Sequence, residues 1–525
     1  MKRLLPIFLI AGACFGADAV PATPLKPKLL LAVVVDQFRY DYILKFRADY
    51  TSGLKRILDT GAVFHDAHHI AYPTVTAVGH STFLTGATPS MSGIVANEWY
   101  ERETKRQVTS VVDFDSKLVG GKAGDSGSSP KRLLVSTVGD EIKMSGQKSK
   151  VIGISIKDRG AVLPAGHMAD AAYWFDAGLN VWTTSTYYMP DLPGWVAALN
   201  AAKPAKRSEN QTWFPLDAKP GAKPFCTLDP AKTDIKKCRS LEASPWGNEV
   251  IEEMAEKALV EEKLGQHEGT DVLTVSFSSN DYVGHELGPD DPAVRDISIR
   301  TDRLLGKLFA QVEKSVGMQN VIFVLTADHG VAPVPEVQAA RKMNGGRISD
   351  SDIARAISDA LTAKYGAGAW LQTRSGSTPY LNLDLIESKK LNLAEVEKTA
   401  AEAAKKMPHI FRTYTKEQLL TGDYPKDPVS DMVANGFFPS RVADLAVISE
   451  PYYLFGTGRE TSGTTHGSPF EYDSHVPIIF MGKAVKPGHY YGRIAVNDIA
   501  PTLSAIVGVL SPSGSVGRVL TEMLK

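Results

Sequence analysis

The chain has almost no surplus of either charge: 58 Lys and Arg stand against 59 Asp and Glu, a net charge of -1. That excludes a nucleic-acid binder, which must neutralise phosphates over a broad basic face. A small anion needs only a local positive site, so a binder of such anions is not excluded. Long apolar runs are missing beyond the N-terminus, and no permanent membrane span is expected. Internal repeats and low-complexity tracts are also missing. The 525 residues are 43% hydrophobic and 22% charged, which excludes collagen-like, disordered and coiled-coil chains. Cysteine is scarce, with three in all.

What is present begins with a leader. Lys2 and Arg3 precede an apolar stretch from Leu4 to Phe15, and Ala17-Asp18-Ala19 offers a small-x-small cleavage site. This predicts a secretory signal peptide over residues 1–19 and a soluble periplasmic or secreted protein. Cys14 follows Ala11-Gly12-Ala13, without the larger aliphatic residue expected of a lipoprotein site, so no lipid anchor is expected there. Cys226 and Cys238 remain, and in an oxidising compartment they are expected to pair; as metal ligands they would lack nearby His or Cys partners. Residues 20–525 are expected to form one α/β domain, acting as a monomer.

Five nearly continuous apolar runs stand out: Leu29 to Val35, Val151 to Ile156, Val272 to Phe277, Val321 to Leu325 and Val476 to Met481. Such runs suit strands buried on both faces of a parallel sheet. After Asp291-Pro292, apolar residues at Val294, Ile297, Leu304, Leu305, Leu308 and Val312 mark one buried helix face, closed by Gly317. The alternation predicts a doubly wound, mainly parallel α/β sheet. Residues from about 160 to 245 and from about 335 to 460 break it and read as inserted cap or lid segments. The second holds helical patterns at Ile353, Ile357 and Leu361 and at Leu393 to Met407, and a strand-like Tyr380 to Leu385.

The chemistry follows the strands. Leu29 to Val35 ends in Asp36; Val272 to Phe277 leads to Asp281 and His285; Val321 to Leu325 leads to Asp328-His329. Ligands of open α/β sheets bind beyond the carboxyl ends of the strands, so these side chains share one edge, where His466 adds another. Asp and His together are a zinc donor set. A lone Asp or His after a strand is ordinarily a cap or a core residue; the joint pattern carries the reading. Thr76 opens a helix-like segment from Pro73 to Gly86, where backbone N–H groups can seat a phosphate and a metal can activate the hydroxyl. Gly79-His80-Ser81-Thr82-Phe83 lacks the final Gly of a serine-hydrolase elbow. His65, His68 and His69 lack a carboxylate at matching spacing and are expected in a polar loop; His475 is a second choice to His466 as ligand.

Taken together, Val35-Asp36-Gln37, Thr76-x-x-x-His80, Asn97-Glu98-Trp99, Ser155 to Gly160, Asp281-x-x-x-His285, Asp328-His329-Gly330 and His466 to Pro469 resemble the alkaline phosphatase superfamily. Within it they resemble the PafA-like, phosphate-irrepressible enzymes of the type I phosphodiesterase/nucleotide pyrophosphatase branch. The resemblance implies two Zn2+ ions, one held by Asp281, His285 and His466, the other by Asp36, Asp328, His329 and the Thr76 oxygen. It implies Thr76 as nucleophile of a phosphothreonine intermediate, and Asn97, Lys157 and Arg159 as the grip on phosphate oxygens. The Lys/Arg pair favours small phosphate monoesters, because the formal charges of two zinc ions, three Asp and a Thr alkoxide cancel. Lys157 and Arg159 then match a monoester dianion and over-compensate a diester. A phosphodiesterase or nucleotide pyrophosphatase on the same core is the alternative. A sulfatase is disfavoured, because its Cys/Ser-x-Pro-x-Arg motif is absent at Thr76.

Overall fold

The computed structural model describes residues 26–525 except 123, 177, 229–239 and 374. The expected leader, Cys14 and the partner expected for Cys226, Cys238, lie outside the described residues. An eleven-stranded sheet forms the frame. Its centre is five parallel strands in the order Val321–Thr326, Leu29–Val35, Asp271–Phe277, Val151–Ser155 and Ala171–Asp176. Every residue of Leu29–Val35 is buried, as are all residues of its two neighbours, because helices cover both faces.

Register brings the chemistry to one height. Val35 pairs with Phe277 and Val34 with Thr326, while Ser276 pairs with Ser155. Residues 36, 278, 327 and 156 therefore leave the sheet side by side at its carboxyl edge. The long helix Pro292–Ser315 packs behind this sheet; Asp291 caps it by accepting from the Ala293 N–H at 2.8 Å, and it buries Ile297, Leu305 and Leu308.

Three segments differ from the reading of the sequence. Ile478–Gly482 joins the sheet antiparallel to Val321–Thr326, since a continuous apolar run reports burial and not direction. Ala171–Asp176 and Val181–Ser185, read as part of an insertion, are strands of the central sheet. Tyr380 to Leu385 is not a strand: only Leu381 bridges to Leu371. The Asn382 side chain then caps a helix over Leu383–Ser388 by accepting from the Leu385 N–H.

Much of the stretch from Gly346 to Gly456 forms a lobe with its own core. Helices Asp350–Tyr365 and Leu393–Lys405 bury Ile353, Ile357, Leu361 and Val396 with Trp370 and Val447. An antiparallel pair, Ile410–Thr415 with Leu445–Ser449, backs them. No helix among the described residues is long and apolar enough to cross a membrane.

Candidate active site

Thr76 is the first residue of the buried helix Thr76–Thr85, with Val75 before it in extended conformation. Gly79 lets this helix lie against the neighbouring strand end: a Cβ there would stand 2.0 Å from the Asp328 carbonyl oxygen. The Asn97 side-chain oxygen accepts from the Ala77 N–H at 2.8 Å, which fixes Asn97 next to the threonine and leaves its NH2 as the donor end. The Thr76 hydroxyl lies 3.5 Å from His329 Nε2.

The expected ligands converge from four places in the sequence. Donor atoms of Asp36, Asp328 and His329 lie within 4.8 Å of one another, and so do those of Asp281, His329 and His466. His285 Nε2 is 3.2 Å from Asp281 Oδ1, and its side chain is 35% exposed, while Asp36, Asp328 and His329 are at 0%. The site is therefore deep at the Asp36 end and opens to solvent at His285.

Three ring nitrogens share one arrangement. His285 Nδ1 lies 2.9 Å from the Thr464 carbonyl, His329 Nδ1 2.9 Å from that of Gly330, and His466 Nδ1 2.8 Å from that of Thr74. A carbonyl oxygen can only accept, so each Nδ1 carries a proton and each ring turns its Nε2, a lone pair when the ring is neutral, toward the carboxylates. Among these, Asp36 Oδ1 and Asp328 Oδ2 are buried without a hydrogen-bond partner. Lone pairs facing orphaned carboxylate oxygens repel unless a cation stands between them, and imidazole with carboxylate is the donor chemistry of zinc. The residues fit a divalent metal.

Electrostatics agree. Burial pushes the Asp36 carboxyl well up, and the Asp328 charge adds to it. Asp328 itself resists burial and is held far below the usual range by His329 and His80. Burial holds His466 well below an ordinary histidine, with His329 and His285 beside it adding to the effect, and burial also lowers His329. Both are thereby kept neutral, the form that ligates, whereas at His285 burial is outweighed by Asp281, which raises it above an ordinary histidine.

Lys157 departs from its expected posture. Its ammonium is buried 2.6 Å from both Asp36 Oδ2 and Asp281 Oδ2, bridging the two groups of ligands. Burial works against its charge, but Asp281 and Asp36 hold it above an ordinary lysine. Arg159 follows within the helix Asp158–Ala165; its buried Nε has no hydrogen-bond partner, and it acts electrostatically on Lys157 and Tyr282.

Two residues inside the quoted motifs do more than the sequence reading assigned. Gln37 adopts a φ of 60°, donates its side-chain amide to Asp281 Oδ1 at 2.7 Å and its backbone N–H to Asp328 Oδ1 at 3.1 Å. Gly284 makes room for it, since a Cβ there would meet the Gln37 side-chain oxygen at 1.9 Å. His80 Nδ1 donates to the Thr76 carbonyl at 2.9 Å and lies 3.2 Å from Asp328 Oδ2, setting the ring of the nucleophile helix beside the ligand without a hydrogen bond to it. Only their proximity to the ligands in the sequence could have signalled them. His475 lies outside both ligand groups, and His68 and His69 are buried rather than in a polar loop. Ala67–His68 is a strand paired with Ile494–Ala495, and His69 Nε2 reaches the Ala327 carbonyl at 3.0 Å.

The chain belongs to the type I phosphodiesterase / nucleotide pyrophosphatase family, whose model matches residues 30–469. Its relatives narrow the class to alkaline phosphatases. Alkaline phosphatase PafA of Elizabethkingia meningoseptica is 34% identical over 545 residues, covering 100% of this chain and 99% of its own. Alkaline phosphatase PhoV of Synechococcus elongatus is 35% identical over 557 residues, and both chains are covered completely. A crystal structure of wild-type PafA superposes with a TM-score of 0.87 at 33% identity, covering 97% of this chain and 100% of that one.

Proposed function

We propose that the protein is an exported, zinc-dependent phosphomonoesterase that works through a phosphothreonine at Thr76. The observation that carries this reading is the pairing of the orphaned buried oxygens of Asp36 and Asp328 with His329, which burial holds below an ordinary histidine, beside the buried Thr76 hydroxyl. Asp281, His285 and His466 would hold one zinc ion, and Asp36, Asp328, His329 and the Thr76 oxygen the other. When bound, two such ions supply Lewis-acid charge at the attacking and departing oxygens.

The chain's own groups account for the rest. Thr76 Oγ forms a bond to phosphorus as the bond from phosphorus to the substrate oxygen breaks, and the alcohol leaves with a proton. Water then cleaves the phosphothreonine, returning the hydroxyl and releasing phosphate. The Asn97 NH2 and the Arg159 guanidinium point the substrate oxygens. Lys157, once its carboxylate partners are neutralised by cations, keeps its charge for a further oxygen. A dianionic monoester presents that bare oxygen; a diester covers it with an alkyl group.

The test compares turnover of an aryl phosphate monoester with its methyl diester under zinc saturation. A strong monoester preference supports the assignment. A large diester preference would make this chain a phosphodiesterase on the same core, and binding of phosphate without turnover would make it a non-catalytic binder.

A further inference from the structure

A second cluster of imidazoles lies outside the catalytic groups. His68, at 1% exposure, stacks on His475 with ring centroids 4.4 Å apart, and their backbones meet in an antiparallel bridge. Glu471 sits against both rings: its Oε2 is 3.6 Å from His68 Nδ1 and 3.9 Å from His475 Nδ1. None of these three residues belongs to the ligand groups around Thr76.

The protons can be placed. His475 Nε2 lies 3.0 Å from the His65 carbonyl, which can only accept, so Nε2 carries the hydrogen and the neutral ring turns its Nδ1 lone pair to Glu471. His68 Nε2 lies 2.6 Å from Asp66 Oδ1 and donates to that carboxylate. His68 Nδ1 is then left buried with no hydrogen-bond partner, facing the same Glu471 oxygen. Two ring nitrogens and one carboxylate oxygen thus converge within 4.8 Å, each too far from the others to bond. Acceptors turned toward each other repel. A tetrahedral zinc with bonds of about 2.1 Å sets its ligands about 3.4 Å apart, close to the separations seen. Asp66 completes the pattern as the carboxylate that orients a ligating histidine from behind.

We propose that His68 Nδ1, His475 Nδ1 and Glu471 form a further zinc site, with solvent water in the fourth position. The Glu471 side chain is 70% exposed and that of His475 24%, so the ion enters from solvent. Bound there, zinc ties the Ala67–His68 strand to the turn Glu471–Ser474. The Asp473 carboxylate in that turn accepts from Ser468, two residues from His466. The ion would thereby brace the loop that delivers a catalytic ligand.

The experiment counts zinc per chain in the full-length protein after equilibration with excess zinc and removal of the unbound metal. It compares wild type with Glu471→Gln and with Glu471→Gln/His475→Ala, and zinc titration follows the weakest-held ion. The proposal expects one zinc fewer in the double variant, and at least about tenfold weaker retention of that ion in Glu471→Gln, where the exposed position leaves folding untouched. Monoester turnover at saturating zinc should be retained in Glu471→Gln. Equal zinc counts and equal titrations in wild type and Glu471→Gln would overturn it, leaving the cluster an ion pair held by a proton on His68. Loss of the catalytic metals would lower all three counts together, so the two readings fail separately.

Discussion

The carboxyl edge of the sheet and the lobe from Gly346 to Gly456 solve opposite problems. In the lobe, Ser349, Asn382, Asn392 and Thr415 each cap a helix with a side-chain oxygen, the interior is mostly aliphatic around Trp370, and among the described residues a single carboxylate oxygen, of Asp444, is buried without a partner. At the edge, Asp36, Asp328 and Arg159 keep buried atoms without partners, and Lys157 is held between two carboxylates. Single unpartnered atoms are scattered through the fold, but charged ones gathered around one buried hydroxyl mark a place that something else completes. The contrast separates residues that build the protein from residues that wait for a ligand.

The sharpest way to break the contrast is at Thr76. Thr76→Ala should lower monoester turnover by at least about a thousandfold, and no phosphoenzyme should be trapped in acid-quenched reactions. Unchanged turnover would remove Thr76 from its role. Chelation should abolish activity and zinc should restore it; restoration by magnesium alone would contradict a donor set rich in imidazole. Next, Lys157→Ala or Arg159→Ala should lower monoester kcat/KM by about 10²–10³-fold, and diester kcat/KM far less. Equal losses on both substrates would show that neither side chain reads the dianion.

The lobe should answer to stability and not to chemistry. Ile357 is at 0% exposure, and Ile357→Ala should cost about 2–5 kcal/mol in denaturant unfolding of the lobe while the folded fraction keeps its kcat. The smallest effect concerns Glu397, buried and held up at about 7, whose carboxylate oxygen accepts from the Glu417 N–H. A carboxyl with a raised folded pKa stabilises the fold below its unfolded value of about 4.5 and loses that contribution as pH rises through about 7. Glu397→Gln should therefore gain stability relative to wild type between pH 5 and pH 8; a constant difference in melting temperature across that range would contradict the burial of a titrating carboxyl.

Strand ends were legible because burial on both faces leaves a signature in the residues. Asp36, Asp281 and Asp328 could be placed on one edge from the apolar runs before them, and Asp291, Pro292 and Gly317 marked a helix. Strand direction was not legible, as Ile478–Gly482 illustrates, because periodicity does not encode it. Neither was the posture of Lys157, whose two carboxylate partners follow other strands, Asp36 directly and Asp281 in the helix Ser279–Leu287. His68 looked unpartnered because its nearest carboxylates are Asp66, two positions away, and Glu471, brought near only by folding. Contacts between distant segments, unlike burial, have no local pattern.

The claim beneath the whole account is that the unpaired oxygens of Asp36 and Asp328 are completed by a cation shared with His329, beside a second cation held by Asp281, His285 and His466. An anomalous difference map at the zinc edge, from crystals of the zinc-saturated protein, tests it directly. The account predicts one peak among Asp281, His285 and His466 and another among Asp36, Asp328 and His329, next to the Thr76 hydroxyl. Lys157 still locked between Asp36 and Asp281, with no peak at either place, would contradict it.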